Sequence, residues 1–143
     1  MDVVIDDHLL LQILLGQEPE TLRAPGARVF TTGLWYHRLC RAISLPSVVG
    51  VLSRALGEVE QIVGAAAVQA MTRLPEYIGL ISFRELSWPM AEMMGSCGPL
   101  NLLSLEALTA ADQLAAEICL AEGDINRPLI EAAARGGVPT RIL

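Results

Sequence analysis

The sequence predicts an α/β fold: one mainly parallel central sheet with helices on both faces. Three observations predict it. Short β-branched or apolar runs alternate with segments of helical period along the whole chain, the pattern of successive strand–helix units. The opening run Val3–Ile5 is continuously apolar, as a strand covered on both faces must be. The composition is 52% hydrophobic and only 18% charged, which excludes disorder driven by low hydrophobicity and high charge. At 143 residues, a single domain over 1–143 with one sizeable core is expected.

The elements follow in order. Val3–Ile5 ends on Asp6 and Asp7, and His8–Leu15 reads as a helix stopped by Gly16. Gln17–Ala27, with Pro19, Pro25 and Gly26, is a loop. Arg28–Thr32 is a second strand, and Leu34–Ile43 a helix ending near Pro46. From Ser47 to Thr72 apolar residues recur at helical spacing, with Gly57 and Gly64 weakening the middle. Two helices in a hairpin, or one bent helix, are expected there. Ile78–Ser82 is a strand, and Glu85–Met94 a helix with Pro89 in its first turns, where proline is tolerated. Gly95–Asn101 is a loop, and Ser104 caps a helix running to about Ala116. Ile118–Ala121, Pro128–Arg135 and Val138–Ile142 complete the chain as strand, helix and strand.

Several function classes are set aside by composition. No apolar stretch approaches the ~18 residues of a membrane span, the longest being Val48–Leu52 and Ile62–Ala67. The N-terminus is acidic where a signal peptide would be basic, so a soluble, cytoplasmic protein is expected. Cys40, Cys97 and Cys119 form no C-x-x-C pair and read as buried or idle thiols. A net charge of −6 argues against broad phosphate binding through many basic side chains. All ten cations are arginine, each able to fork onto a phosphate or carboxylate.

Sites in parallel sheets form beyond the carboxyl ends of strands. Asp6 ends the first strand, Asp124 follows Ile118–Ala121, and Glu106 lies in the first turn of the helix leading to that strand. Converging carboxylates there would suit a hard divalent cation such as Mg²⁺, which polarises phosphoryl oxygens and activates water. The plainer alternatives are that Glu106 complements its own helix dipole and that Asp124 caps the next helix.

The same residues carry a family resemblance. Val3-Val4-Ile5-Asp6 before a Leu-rich helix resembles the start of PIN domains, the fold of VapC-type toxin ribonucleases. Ser104-Leu105-Glu106-Ala107-Leu108 and Leu120-Ala121-Glu122-Gly123-Asp124 are similar to that family's serine and Asp-Ala-Leu run followed by Leu-x-Thr-x-Asp. Leu129-Ile130-Glu131-Ala132-Ala133-Ala134-Arg135-Gly136-Gly137-Val138-Pro139 resembles its last helix and strand. The resemblance implies an Mg²⁺- or Mn²⁺-dependent ribonuclease with Asp6, Glu106 and Asp124 as metal ligands and catalytic residues, and Asp7 in support. It also implies RNA as substrate and a cognate antitoxin as partner. The apolar helical hairpin adds a homodimer as a further expectation.

Two departures decide how strongly this applies. The family's early glutamate falls within Thr31–Leu39, at Arg38 or at His37, and neither is a carboxylate. The usual third Asp is Glu106, longer by one methylene. A guanidinium ~4 Å from a divalent ion opposes its binding by several kcal/mol even at an effective dielectric near 20. Arg38 is therefore expected either to substitute for metal charge, paired with Asp6, Glu106 or Asp124, or to face outward onto an RNA phosphate. The first is favoured, leaving metal binding weakened or lost, and a noncatalytic PIN-like binding or regulatory module is the alternative function. His37 is a candidate base or phosphate donor near its reference pKa of ~6.5, and His8 a candidate for the site rim. Trp35, Tyr36 and His37 are base-stacking candidates, though core packing suits such residues better. Met90, Met93 and Met94 fit a core edge or a partner face. A receiver domain, suggested by the Asp6–Asp7 pair, is rejected because the chain has no lysine and no central phospho-acceptor.

Overall fold

The computed structural model describes residues 1–45 and 51–143. The expected turn at Pro46 and the start of the hairpin at Ser47 lie outside the described residues. Five strands, β1 (Val3–Ile5), β2 (Val29–Thr32), β3 (Ile78–Ile81), β4 (Glu117–Leu120) and β5 (Thr140–Ile142), form one sheet in the order β3-β2-β1-β4-β5. Every pairing is parallel. The helices are α1 (Asp7–Leu14), α2 (Gly33–Ser44), α3 (Val51–Gly57), α4 (Gln61–Thr72), α5 (Phe83–Met94), α6 (Leu102–Leu114) and α7 (Arg127–Gly136), with a 3₁₀ turn at Glu122–Asp124.

The two-residue period of the strands sorts the core into two layers. Val4, Ile118 and Leu120 point to the side where Leu86, Met90, Leu105, Leu108 and Leu129 of α5, α6 and α7 pack. Val3, Ile5 and Cys119 point to the other side, against Leu9, Leu10, Leu52, Ala67 and Met71 of α1, α3 and α4. Successive residues thus serve opposite faces, which is why these strands read as unbroken apolar runs.

Boundaries moved at several places for physical reasons. The apolar segment after Ser47 is two helices, α3 and α4, parted at residues 58–60, while Gly64 lies buried inside α4. Pro89 sits in the middle of α5 and not in its first turns, because that helix begins at Phe83. The cap of α6 is Asn101, whose side chain accepts from Ser104 N at 2.8 Å. Ser104 is buried within the helix instead, and Glu106 consequently falls beyond the first turn. Asn126, and not Asp124, caps α7. At β3, a Cβ on Gly79 would lie 2.3 Å from the Phe30 ring, so only glycine lets that ring lie across the edge of the sheet. Among the described residues, no helix is long and apolar enough to cross a membrane. All three cysteines are free, and burial pushes the Cys119 thiol up to about 11.

Candidate functional site

The chain passes from β1 outward to β2 and β3, then crosses back to place β4 on the other side of β1. That reversal opens a crevice beyond the carboxyl ends of β1 and β4, where parallel sheets bind ligands. A polar cavity of about 280 Å³ lies there. Asp6, Arg38, Asp124, Asn101, Asn126 and Trp35 are among its lining residues.

Asp6 is 1% exposed and caps α1. One of its oxygens accepts from Leu9 N at 2.9 Å, the other from Ala121 N at 2.8 Å, which ties the end of β1 to the end of β4. Burial raises its pKa, with these two N–H groups working against the rise. Asp7, wholly buried, faces Arg38 and His8. Arg38 donates from Nε to Oδ2 and from Nη2 to Oδ1, the latter at 2.7 Å, while His8 Nδ1 lies 3.1 Å from Oδ1. Burial pushes Asp7 up, but the bonds to His8 and Arg38 outweigh it and hold the carboxyl below its ordinary value. The bond to Asp7 likewise raises His8, against the effect of burial.

Arg38 also reaches Asp124. Its Nη2 donates to Asp124 Oδ2 at 2.8 Å, and His8 Nδ1 lies 3.9 Å from the same oxygen. The Arg38 and Asp124 side chains are 40% and 47% exposed, so this contact forms the open edge of a cluster whose inner edge is Asp7. On α2, Arg38 and the buried Leu39 are adjacent, Leu39 facing the core and Arg38 the cavity.

Glu106 occupies a different place from the one expected. It is wholly buried, and its oxygens accept from Gly33 N at 3.2 Å and Leu34 N at 2.9 Å. The carboxylate therefore serves the N-terminus of α2, where unpaired N–H groups and the helix dipole favour negative charge. Thr32 completes that cap by accepting from Trp35 N at 3.3 Å. Gly33 leaves Glu106 room, since a Cβ there would sit 3.3 Å from its Oε1, a tight contact that a shift of a few tenths of an ångström would relieve. Neither the lining of the cavity nor the group of possible metal ligands includes Glu106.

The remaining candidates separate in the same way. Trp35 is a core residue, 1% exposed, and Tyr36 is half-buried and donates to the Met71 carbonyl. His37 is exposed and, among the described residues, has no hydrogen bond or ion pair. Met90 is buried, Met94 exposed. Three helices, α1, α6 and α7, present their capping residues Asp6, Asn101 and Asn126 to the cavity. Asn126 also donates to Ser104 Oγ at 2.8 Å, joining the starts of α6 and α7. Sequence reasoning had no means to assign these two asparagines, because their role depends on three helices meeting in space.

The donor set can be compared with what a divalent cation needs. Carboxylate oxygens are the right chemistry, and Asp6, Asp7 and His8 each offer a ligand atom within 4.8 Å of one another. As arranged, however, the set does not fit an ion. Both oxygens of Asp6 and both of Asp7 already receive N–H donors, as does one of Asp124. A guanidinium stands among them, and it would have to give up part of this network first.

No family model matches the sequence, and no curated protein matches it. Among solved structures, the chain is similar to one in the structure of VapBC-1 from nontypeable Haemophilus influenzae. The match has a TM-score of 0.51 and 12% identity, covering 99% of this chain and 98% of that one. At that identity the likeness is one of fold, and it gives this chain a VapC-like PIN architecture.

Proposed function

We propose that this chain is a ribonuclease-type PIN protein that acts on RNA phosphodiesters through a divalent-metal site weakened by its own Arg38. Its partners are RNA and, by the resemblance to VapC-type toxins, a cognate antitoxin. Asp6 and Asp124 are the residues proposed to hold Mg²⁺ or Mn²⁺, with Asp7 behind them and Glu106 supporting through α2. The observation that carries the reading is the polar crevice at the β1–β4 reversal, which Asp6, Asp124 and Arg38 line together. When bound, such an ion would polarise a phosphoryl oxygen and lower the pKa of water. The chain's own contribution is a fixed carboxylate at Asp6, a more exposed one at Asp124, and a guanidinium that can fork onto phosphate.

A noncatalytic binding module is the second reading, favoured by one observation. The buried carboxylates Asp6, Asp7 and Glu106 all have N–H partners without any ion. The two readings part in a single experiment: Mn²⁺ calorimetry and cleavage of a labelled RNA by the wild type and by Arg38→Glu. Weak Mn²⁺ binding with slow Mn²⁺-dependent cleavage by the wild type, and tighter Mn²⁺ binding by Arg38→Glu, supports the weakened nuclease. Absence of cleavage at every Mn²⁺ concentration, with no Mn²⁺ bound by either protein, would leave the noncatalytic module.

A further inference from the structure

The two tryptophans of the chain have opposite surroundings. Trp35 is 1% exposed in the core, whereas Trp88 is 74% exposed on α5. Its place on that helix is the reason. Leu86 and Met90, the buried residues of α5, lie two positions either side of Trp88, each about 200° round the helix at 3.6 residues per turn. Trp88 therefore stands on the outermost line of α5, facing away from the core. Leaving so large an apolar surface in water is unfavourable, and exposed apolar patches with a polar rim mark contact surfaces. This rim is charged. Arg84 lies one turn before Trp88 and Glu92 one turn after it, both exposed. Among the described residues, neither side chain has a hydrogen bond or ion pair within the chain.

We infer that the outer face of α5 binds a second copy of this chain, the two α5 helices pairing antiparallel about a twofold axis at Trp88. Such an axis sets positions equidistant from Trp88 against each other. Arg84 then meets Glu92 of the second copy, and Glu92 meets Arg84 of the second copy, so one register makes two opposite-charge contacts. Glu85, three positions before Trp88, meets Ala91, three positions after it, and no like charges are brought together. Trp88 contributes roughly 150–200 Å² per copy, and the two faces together about 1,000 Å², the threshold of a specific interface, which implies a weak dimer. A nucleic-acid strand suits the face less well, because Glu85 and Glu92 against Arg84 alone give no basic track for phosphates. The face belongs to the layer of α5, α6 and α7, across the sheet from α3 and α4. It does not depend on the ribonuclease reading.

The test is sedimentation velocity from about 1 to 200 µM, the range in which weak interfaces titrate. It compares the wild type with Trp88→Ala, Arg84→Glu, Glu92→Arg, the double variant Arg84→Glu/Glu92→Arg, and an equimolar mixture of the two single charge reversals. The wild type is expected to dimerise with rising concentration, and Trp88→Ala to weaken this by at least about tenfold, as loss of a central tryptophan does. Each charge reversal alone sets like charges opposite each other twice and should also weaken self-association about tenfold or more. The double variant restores both pairs within one sequence and should dimerise like the wild type. The mixture restores them between two sequences and should form a heterodimer, which also shows that both single variants are folded. A wild type that stays monomeric over the whole range would overturn the inference, as would a dimer indifferent to Trp88→Ala or to the single reversals. Failure of both the double variant and the mixture to recover association would overturn it too. A monomer whose affinity for a labelled RNA oligonucleotide falls in Trp88→Ala would assign the face to nucleic acid instead.

Discussion

Replacing Glu106 by glutamine separates a helix-capping carboxylate from a metal ligand. The side chain is wholly buried and accepts two backbone N–H groups, at 3.2 and 2.9 Å. Glutamine retains one acceptor and turns an NH₂ towards the other N–H, leaving a buried donor unpaired. That costs about 1–3 kcal/mol. Loss of the negative charge at the start of α2 adds roughly 0.3–2 kcal/mol. A destabilisation of about 2–4 kcal/mol is therefore expected, and Glu106→Asp, too short to reach both donors, should show a large part of it. Urea unfolding followed by Trp35 fluorescence measures this directly, because Trp35 sits on the first turn of α2 and is buried. Stability within about 0.5 kcal/mol of wild type, together with a lost Mn²⁺ affinity, would refute the capping account. Glu106 would then belong among the metal ligands.

The other predictions concern charge and backbone. Arg38→Ala should lower stability by about 1–3 kcal/mol at pH 7, the range for breaking a buried pair discounted for a guanidinium that is partly exposed. Asp7 is held below its ordinary value of 3.8, so its stabilisation is present above that pH and lost as pH falls through the lower folded value. The gap between the two proteins should close in acid, as urea midpoints over a pH series would show. His8 is raised above 6.5, so its stabilisation is full below that value and lost as pH rises through the folded one. His8→Gln should flatten that alkaline decline in the same series. Gly79→Ala drives a methyl group into the Phe30 ring and should cost about 1–3 kcal/mol, read as a lower Tm. Ala115→Gly should raise stability by about 1 kcal/mol, since Ala115 ends α6 at a φ of 49° that glycine adopts freely.

What could be read from the residues alone was the part governed by local pattern. Val3–Ile5 and Ile118–Leu120 are apolar at every position because both faces of their strands are covered, and this marks a parallel sheet without any coordinates. Asp6 was legible for the same reason, as the first polar residue after a buried strand. Glu106 was misplaced because its partners, Gly33 and Leu34, lie more than 70 positions away. Its own helix neither needs nor uses it. The start of α6 was misjudged because Asn101 and Ser104 are both good caps, and only the tertiary packing that buries Ser104 chooses between them. Arg38 was identified by charge at a position where a carboxylate was expected. Of the partners expected for it, Asp124 is one, while its buried partner is Asp7 and neither Asp6 nor Glu106 pairs with it.

The bond from Ala121 N to Asp6 joins positions 115 apart, and this gives the crevice a timetable. β1 emerges first during synthesis, yet it lies in the middle of the sheet and cannot be closed on its second edge until β4 follows. At roughly 5–20 residues per second, about 6–23 s separate translation of Asp6 from that of Ala121. Once Arg38 has been added, the nascent chain holds Asp6, Asp7 and Arg38 but still lacks both the second wall of the crevice and Asp124. The acidic crevice of this chain is thereby built so that it cannot assemble until most of the sheet has left the ribosome.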